Sequence, residues 1–216
     1  MQSILFLTIL AILSAPIYGA QNQTFKITKN TKLIIAQGDI TKCPVESIVN
    51  AANEQLLGGA GVCGAIFNAA GWDQLQTACD QYPAHNTVRC PVGQACITDS
   101  FNLKSSGIKY VIHAVGPDCR VVKNTQQQDA LLTQSYQNSL ILADKKQLRS
   151  IAFPFISSAI YAFPKERAAN IALKAILDHI KNSNTQIDAL YFVLFSPADY
   201  DLFCHEIKKF VNAELD

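Results

Sequence analysis

Residues 189–195 (ALYFVLF) are apolar at every position. A strand can afford that only when both its faces are buried, as they are when helices cover a parallel sheet on each side. Similar short runs recur along the chain: 31–36 (TKLIIA), 47–51 (SIVNA), 94–98, 110–115 (YVIHAV) and 150–154 (SIAFP). Between most of them lie helix-like segments. Residues 61–70 (GVCGAIFNAA) suit a buried helix and 72–81 a second, short one. Residues 125–146 form a long amphipathic stretch. Residues 164–181 open with Pro-Lys-Glu, good first-turn chemistry, and 197–215 close the chain behind Ser196 as N-cap. Strands separated by helices predict an α/β domain: a three-layer α/β/α sandwich around a mixed, mostly parallel sheet.

The chain has 216 residues, enough for one domain with a full core, and shows no internal repeat or interdomain linker. Its net charge of +1, from 18 Lys+Arg against 17 Asp+Glu, argues against a generic nucleic-acid binder. Residues 4–20 (ILFLTILAILSAPIYGA) are a separate object, with no charged side chain before Lys26. They read as a secretory signal peptide cut after Gly19, giving 1–19 as signal, 20–30 as an N-terminal segment and 31–216 as the folded domain. The alternative is an uncleaved N-terminal membrane anchor. Cleavage implies a secreted or periplasmic protein with no stable membrane insertion. Asn22-Gln23-Thr24 is a glycosylation sequon, meaningful only in a eukaryotic secretory pathway. The seven cysteines are odd in number and form no CxxC pair, so no zinc site is expected and most read as small buried hydrophobes. No metal or cofactor is expected, and the chain is read as a monomer.

The densest glycine cluster is Gly58-Gly59-Ala60-Gly61-Val62-Cys63-Gly64, which contains a literal GxGxxG. Alone it is weak: Asn53 to Leu57 intervene after the strand, and no acidic strand end follows about 20 residues on. The physics of close backbone approach and free helix amides still suits a phosphate. A second loop, 155–163 (FISSAIYAF), follows the SIAFP strand, and Asp39 follows the first strand. Loops at strand C-termini flank the crevice where open α/β sheets bind ligands.

These pieces, in this order, resemble the macrodomain, the ADP-ribose-binding module. Gly38-Asp39-Ile40-Thr41 resembles the family's GDIT, residues 48–53 its IVNAAN, and 56–66 (LLGGAGVCGAI) its LLGGGGVDGAI. Residues 110–117 (YVIHAVGP) resemble YVIHTVGP, and 151–164 (IAFPFISSAIYAFP) resemble IAFPCISTGVYGYP. The subtype looks MacroD-like. The resemblance implies ADP-ribose or an ADP-ribosylated protein as partner. It implies that Asp39 and the Ile40 amide meet adenine. Gly61, Val62, Cys63 and Gly64 would cradle the diphosphate with Ser157, Ser158, Ala159, Ile160 and Tyr161. Asn53 and Tyr161 would hold the distal ribose. Phe195, at the end of the last strand, is a candidate for stacking on adenine or for core packing. His113, inside a strand, reads as structural.

The departures gather at the reacting end. MacroD-like hydrolases carry Asp where this chain has Cys63 and His where it has Phe67. Alanines stand for family glycines at Ala60, Ala159 and Ala162. Losing the carboxylate removes a base candidate worth about 10² to 10⁴ in rate where one operates. Asn53, Tyr161 and Cys63 remain as catalytic candidates. A helix N-terminus would lower the Cys63 pKa, though no base adjoins it in sequence and it reads first as a pocket-lining residue. At Ala159 a Cβ would crowd the phosphate or forbid a positive φ. Three functions stay open: a mono-ADP-ribosyl or O-acetyl-ADP-ribose hydrolase, a non-catalytic ADP-ribose reader, and a scaffold adapted to another nucleotide or a protein partner.

Overall fold

The computed structural model describes Gly19 and residues 21–212; the rest of the 4–20 run lies outside the described residues. Seven strands and five α-helices follow in the order β1 (Gln21–Lys26), β2 (Lys32–Gln37), β3 (Ser47–Ala51), α1 (Gly61–Ala70), α2 (Trp72–Asp80), β4 (Ala95–Asp99), β5 (Tyr110–Ala114), α3 (Thr125–Lys145), β6 (Ser150–Phe153), α4 (Lys165–Asn182), β7 (Ala189–Leu194) and α5 (Pro197–Asn212). They form one sheet in the order β1-β2-β7-β6-β3-β5-β4. The five central strands are parallel; β1 and β4 run antiparallel at the edges. The sheet is therefore mixed and mostly parallel, as expected.

Alternation along the strands divides the core in two. Val49, Ile112, Ile151, Phe153, Leu190 and Phe192 pack beneath α3, α4 and α5. Their neighbours Ile48, Val111, Ala152 and Val193 pack beneath α1 and α2. Burial on both faces is what makes β7 apolar throughout. Ser196 caps α5, its Oγ accepting from Asp199 N at 3.1 Å.

One boundary needs correction. The folded unit takes in residues 21–30, because β1 pairs with β2 in full register from Gln21↔Gln37 to Lys26↔Lys32. Its sequence, QNQTFK, offers only Phe25 as a buried apolar residue, so pairing rather than a hydrophobic run makes it a strand. Cys43, Cys63, Cys79, Cys90 and Cys204 are buried and all seven cysteines are free thiols. Among the described residues no helix is long and apolar enough to cross a membrane.

Candidate functional site

The parallel strands deliver their C-terminal ends to one edge of the sheet. There β3 and β6 are neighbours, but the helix after β3, α1, covers one face and the helix after β6, α4, the other. Chains diverging in this way leave a crevice between them. A cleft of about 200 Å³ lies there, between the Gly59–Cys63 backbone on one wall and Phe155 to Tyr161 on the other, with Gly116 on its floor.

The first wall is the N-terminus of α1. Its N-cap is Ala60, in extended backbone (φ −94°, ψ 178°), with no side-chain cap and no acidic residue in the first turn. The other helices differ. Asn124 and Ser196 cap α3 and α5, while Asp73 and Glu166 place charge in the first turns of α2 and α4. The first-turn amides of α1 thus have no partner from a capping side chain, and the helix dipole adds positive potential at the cleft. Gly61 adopts φ +62°. Ala60 needs no glycine, being extended. Gly64 does not line the cleft: its amide donates to Ala60 O at 3.4 Å, and a Cβ there would stand 2.5 Å from Gly59 O. Its lack of a Cβ serves close packing.

The second wall is strained where a sequence reading would not place strain. Ser157 and Ala162 have φ +62° and +53°; Ala159 is not left-handed. The expectation that Ala159 would meet a φ conflict is therefore corrected to Ala162, where the resembled family has glycine. Ser157 is only 7% exposed, yet its Oγ has no hydrogen-bond partner. A Cβ on Gly116 would lie 2.2 Å from that oxygen. Ala159, Ile160 and Tyr161 line the cleft. Ser158 does not: its Oγ donates to Phe155 O at 2.8 Å, turning the side chain back into the loop. An uncapped helix terminus and a buried, unpartnered hydroxyl thus share one small cleft, a combination that suits an oxyanion.

At the inner end, the Asn53 amide closes its own turn: Nδ2 donates to Leu57 O at 2.8 Å and Oδ1 accepts from Leu57 N at 3.0 Å. One hydrogen and one lone pair remain for a ligand. The Cys63 thiol is buried, 3.6 Å from Asn50 Nδ2 and 3.9 Å from Leu57 O. Burial pushes its pKa up, outweighing the lowering by Asn50 and by the Gly59 backbone. The lowering expected at a helix N-terminus is reversed, because desolvation disfavours the thiolate more than nearby donors favour it. Tyr161 is also raised, chiefly by burial, then by the nearby charges of Asp118 and Glu54. Among the described residues, no carboxylate or imidazole lines the cleft.

Behind Cys63, Asn50 Nδ2 lies 3.2 Å from His113 Nδ1, and His113 Nε2 lies 3.0 Å from Thr98 Oγ1. Burial depresses the His113 pKa to about 4, so the ring is neutral and structural. Asp39, Ile40 and Phe195 lie outside the cleft, on adjacent strand ends joined by Gly38 N→Leu194 O at 3.0 Å. Asp39 Oδ1 accepts from Thr41 N and Oγ1 at 3.0 and 2.7 Å. Ile40 buries its side chain and offers only backbone. Phe195 is 87% exposed, which removes core packing as its role. Gly59, Phe155 and Ile156 line the cleft from loops singled out in the sequence but were given no ligand role there, and Ala51, Ala52 and Gly116 line it without having been site candidates. The signal for Gly116 was its place in the YVIHAVGP motif at the end of an apolar strand.

The family model described as Macro domain matches residues 49–172. The chain belongs to the macro domain family. This macro domain is 43% identical over 172 residues to an O-acetyl-ADP-ribose deacetylase of Pantoea vagans, covering 80% of this chain and 96% of that one. It is 39% identical over 181 residues to an ADP-ribose glycohydrolase of Xenopus laevis, covering 83% of this chain but 40% of that longer protein. Among solved structures, the Oceanobacillus iheyensis macrodomain with ADP superposes with a TM-score of 0.81 at 36% identity, covering 89% of this chain and 98% of that one. The Trypanosoma brucei macrodomain in complex with ADP-ribose superposes at 0.69 and 31% identity, covering 81% and 68%.

Proposed function

We propose that this macro domain binds ADP-ribose, free or attached to a protein, and that recognition rather than fast turnover is what its cleft is built for. The observation that carries the reading is the pairing of the uncapped α1 terminus with the unpartnered Ser157 hydroxyl across one cleft. Two phosphates between these walls would accept from backbone amides and from Ser157 Oγ. At about 200 Å³ the cleft is smaller than the about 300–1,000 Å³ of whole-ligand pockets, which favours the diphosphate and distal ribose as the part of the ligand it would seat. The adenosine end would lie outside, along Asp39 and the exposed Phe195 ring, which offers a stacking face. Asn53 and Tyr161 would meet the distal ribose.

The relatives named as a glycohydrolase and a deacetylase, and the MacroD-like motifs, favour hydrolysis as a second reading. Among the described residues the titratable side chains lining the cleft are Cys63 and Tyr161, both with raised pKa. Neither is a base at neutral pH, so turnover would depend on the substrate's own phosphates. Calorimetry with ADP-ribose, run beside release of ADP-ribose from a mono-ADP-ribosylated glutamate substrate, tests both readings. We expect micromolar binding and turnover near background, with Cys63→Asp raising it. Fast turnover by the unaltered chain would refute the reader; absence of binding would refute the site.

We further infer export, from the apolar 4–20 run. Cleavage after Gly19 would leave β1, which begins at Gln21, whole. An N-terminus at Met1 on protein recovered from the cytosol would contradict this.

A further inference from the structure

A charged side chain, Arg167, stands behind the strained second wall. Arg167, on the first turns of α4, does not line the cleft. Its guanidinium carbon sits 4.6 Å from the centroid of the Phe163 ring. Its Nε lies 2.9 Å from Asp129 Oδ1, and its Nη2 donates to Gln128 Oε1. Gln128 is itself buried and donates from Nε2 to Val122 O at 2.6 Å. One cation therefore joins the second wall, the first turn of α3, and the segment after β5. That segment in turn donates from Cys119 N to Tyr161 O at 2.9 Å.

Phe163 is where this grip meets the strain. The ring is 2% exposed, and its amide donates to Ser157 O at 3.0 Å, closing the loop on its two ends. Ala162, beside it, and Ser157, across that hydrogen bond, are the two residues with left-handed backbone. Such conformations in non-glycine residues persist only where the surroundings over-determine them. Phe163 is buried under a planar cation that stacks on its ring, donates to Gln128 and pairs by charge with Asp129, a combination that suits a guanidinium better than an ammonium.

We propose that Arg167 is a positioning residue for the phosphate wall: by clamping Phe163 it holds residues 157–162 in the strained form that keeps Ser157 on the cleft wall with its Oγ unpartnered. The proposal rests on the reading of that cleft as the ADP-ribose site. Without the clamp, the loop would relax at Ala162 and withdraw the Ser157 hydroxyl, lowering affinity without altering any group that touches ligand.

The test uses Arg167→Met, Ala162→Gly and the double variant, read in two ways. Amide exchange of the ligand-free protein reports on the loop directly. Arg167→Met is expected to speed exchange at Ala162 and Phe163 by about tenfold while Ile66 and Phe67 in α1 stay unchanged, local opening being independent of the global fold. Calorimetry with ADP-ribose, well below the melting temperature, is expected to show affinity falling by about tenfold, and the double variant returning to within about threefold, since glycine accepts the left-handed backbone at no steric cost. If Arg167→Met does not fold, Arg167→Lys keeps the charge and loses the planar fork, with the same signs expected. Exchange that is unchanged, or faster across the whole sheet, would overturn the clamp. So would unchanged affinity, or an affinity loss that Ala162→Gly does not restore. If the unaltered chain ignores ADP-ribose, the site reading fails separately, and the exchange comparison still decides whether Arg167 holds the loop.

Discussion

The two walls of the cleft reach the same end by opposite means. The first wall, residues 59–63, is glycine-rich, and the one left-handed position within it, at Gly61, falls on a residue that adopts it freely, although Leu56 before it is also left-handed. Its space is also glycine-made, since a Cβ at Gly64 would strike Gly59 O. The second wall carries two left-handed positions and no glycine: Ser157 and Ala162 hold them against their side chains. The first wall needs little support to keep its shape. The second is held by burial of Phe163, by the Phe163 N→Ser157 O and Cys119 N→Tyr161 O hydrogen bonds and, on our proposal, by Arg167 stacked on the Phe163 ring. Amides can therefore be presented to an anion either by a backbone that is free to curl or by one that is held curled. The held form depends on residues outside the cleft.

The largest expected effect concerns what lies under the first wall. His113 is fully buried and neutral, with its pKa depressed to about 4 from an ordinary 6.5. Folding therefore favours the unprotonated ring; the contribution is full above about 6.5 and is lost as pH falls toward about 4, on the order of 3 kcal/mol in all. Denaturant titrations across that window should show the loss, and His113→Gln should flatten it. A flat profile in the unaltered chain would mean the ring is not held neutral. Next in size is Gly64→Ala. Forcing a Cβ against the Gly59 carbonyl should cost about 1–3 kcal/mol and weaken ligand binding by displacing the α1 amides. Loss of stability with affinity intact would separate the packing of α1 from its role as a wall.

On the second wall the sign is opposite. Ala162→Gly should stabilise the chain by about 1 kcal/mol, read as a higher melting temperature, because it removes a left-handed alanine. A lower melting temperature would show that the strain at Ala162 is not real. The smallest effect is one of salt. Among the described residues no Lys or Arg lines the cleft. Recognition by neutral amides and a hydroxyl should leave ADP-ribose affinity changed by less than about threefold between 0.05 and 0.5 M salt, a range over which exposed ion pairs are screened. A steep salt dependence would place a cation, such as the exposed Arg120 near Tyr161, in the site after all.

What could be read from the chain before its structure follows this contrast. Helix α1 was legible to the residue, because small and apolar side chains between glycines leave few other choices. The first wall was legible for the same reason. Strand β1 was not, since QNQTFK is polar and becomes a strand only by pairing with β2. The second wall was located but misread. Backbone φ is not written in residue type, so the strain was expected at Ala159 and found at Ser157 and Ala162. Arg167 was invisible for a related reason: on a helix face it looks like one more solvated charge, and only the fold brings Phe163 beneath it. The Cys63 pKa went the other way from expectation because a helix terminus is local and burial is not.

The central claim is that both walls hold one ligand. Following the backbone amide resonances of isotope-labelled protein during titration with ADP-ribose tests it most directly. Saturable shifts are expected at Gly59 to Cys63 and at Ser157 to Tyr161 together, with one affinity. Shifts confined to a single wall, or appearing away from the strand C-termini, would contradict it.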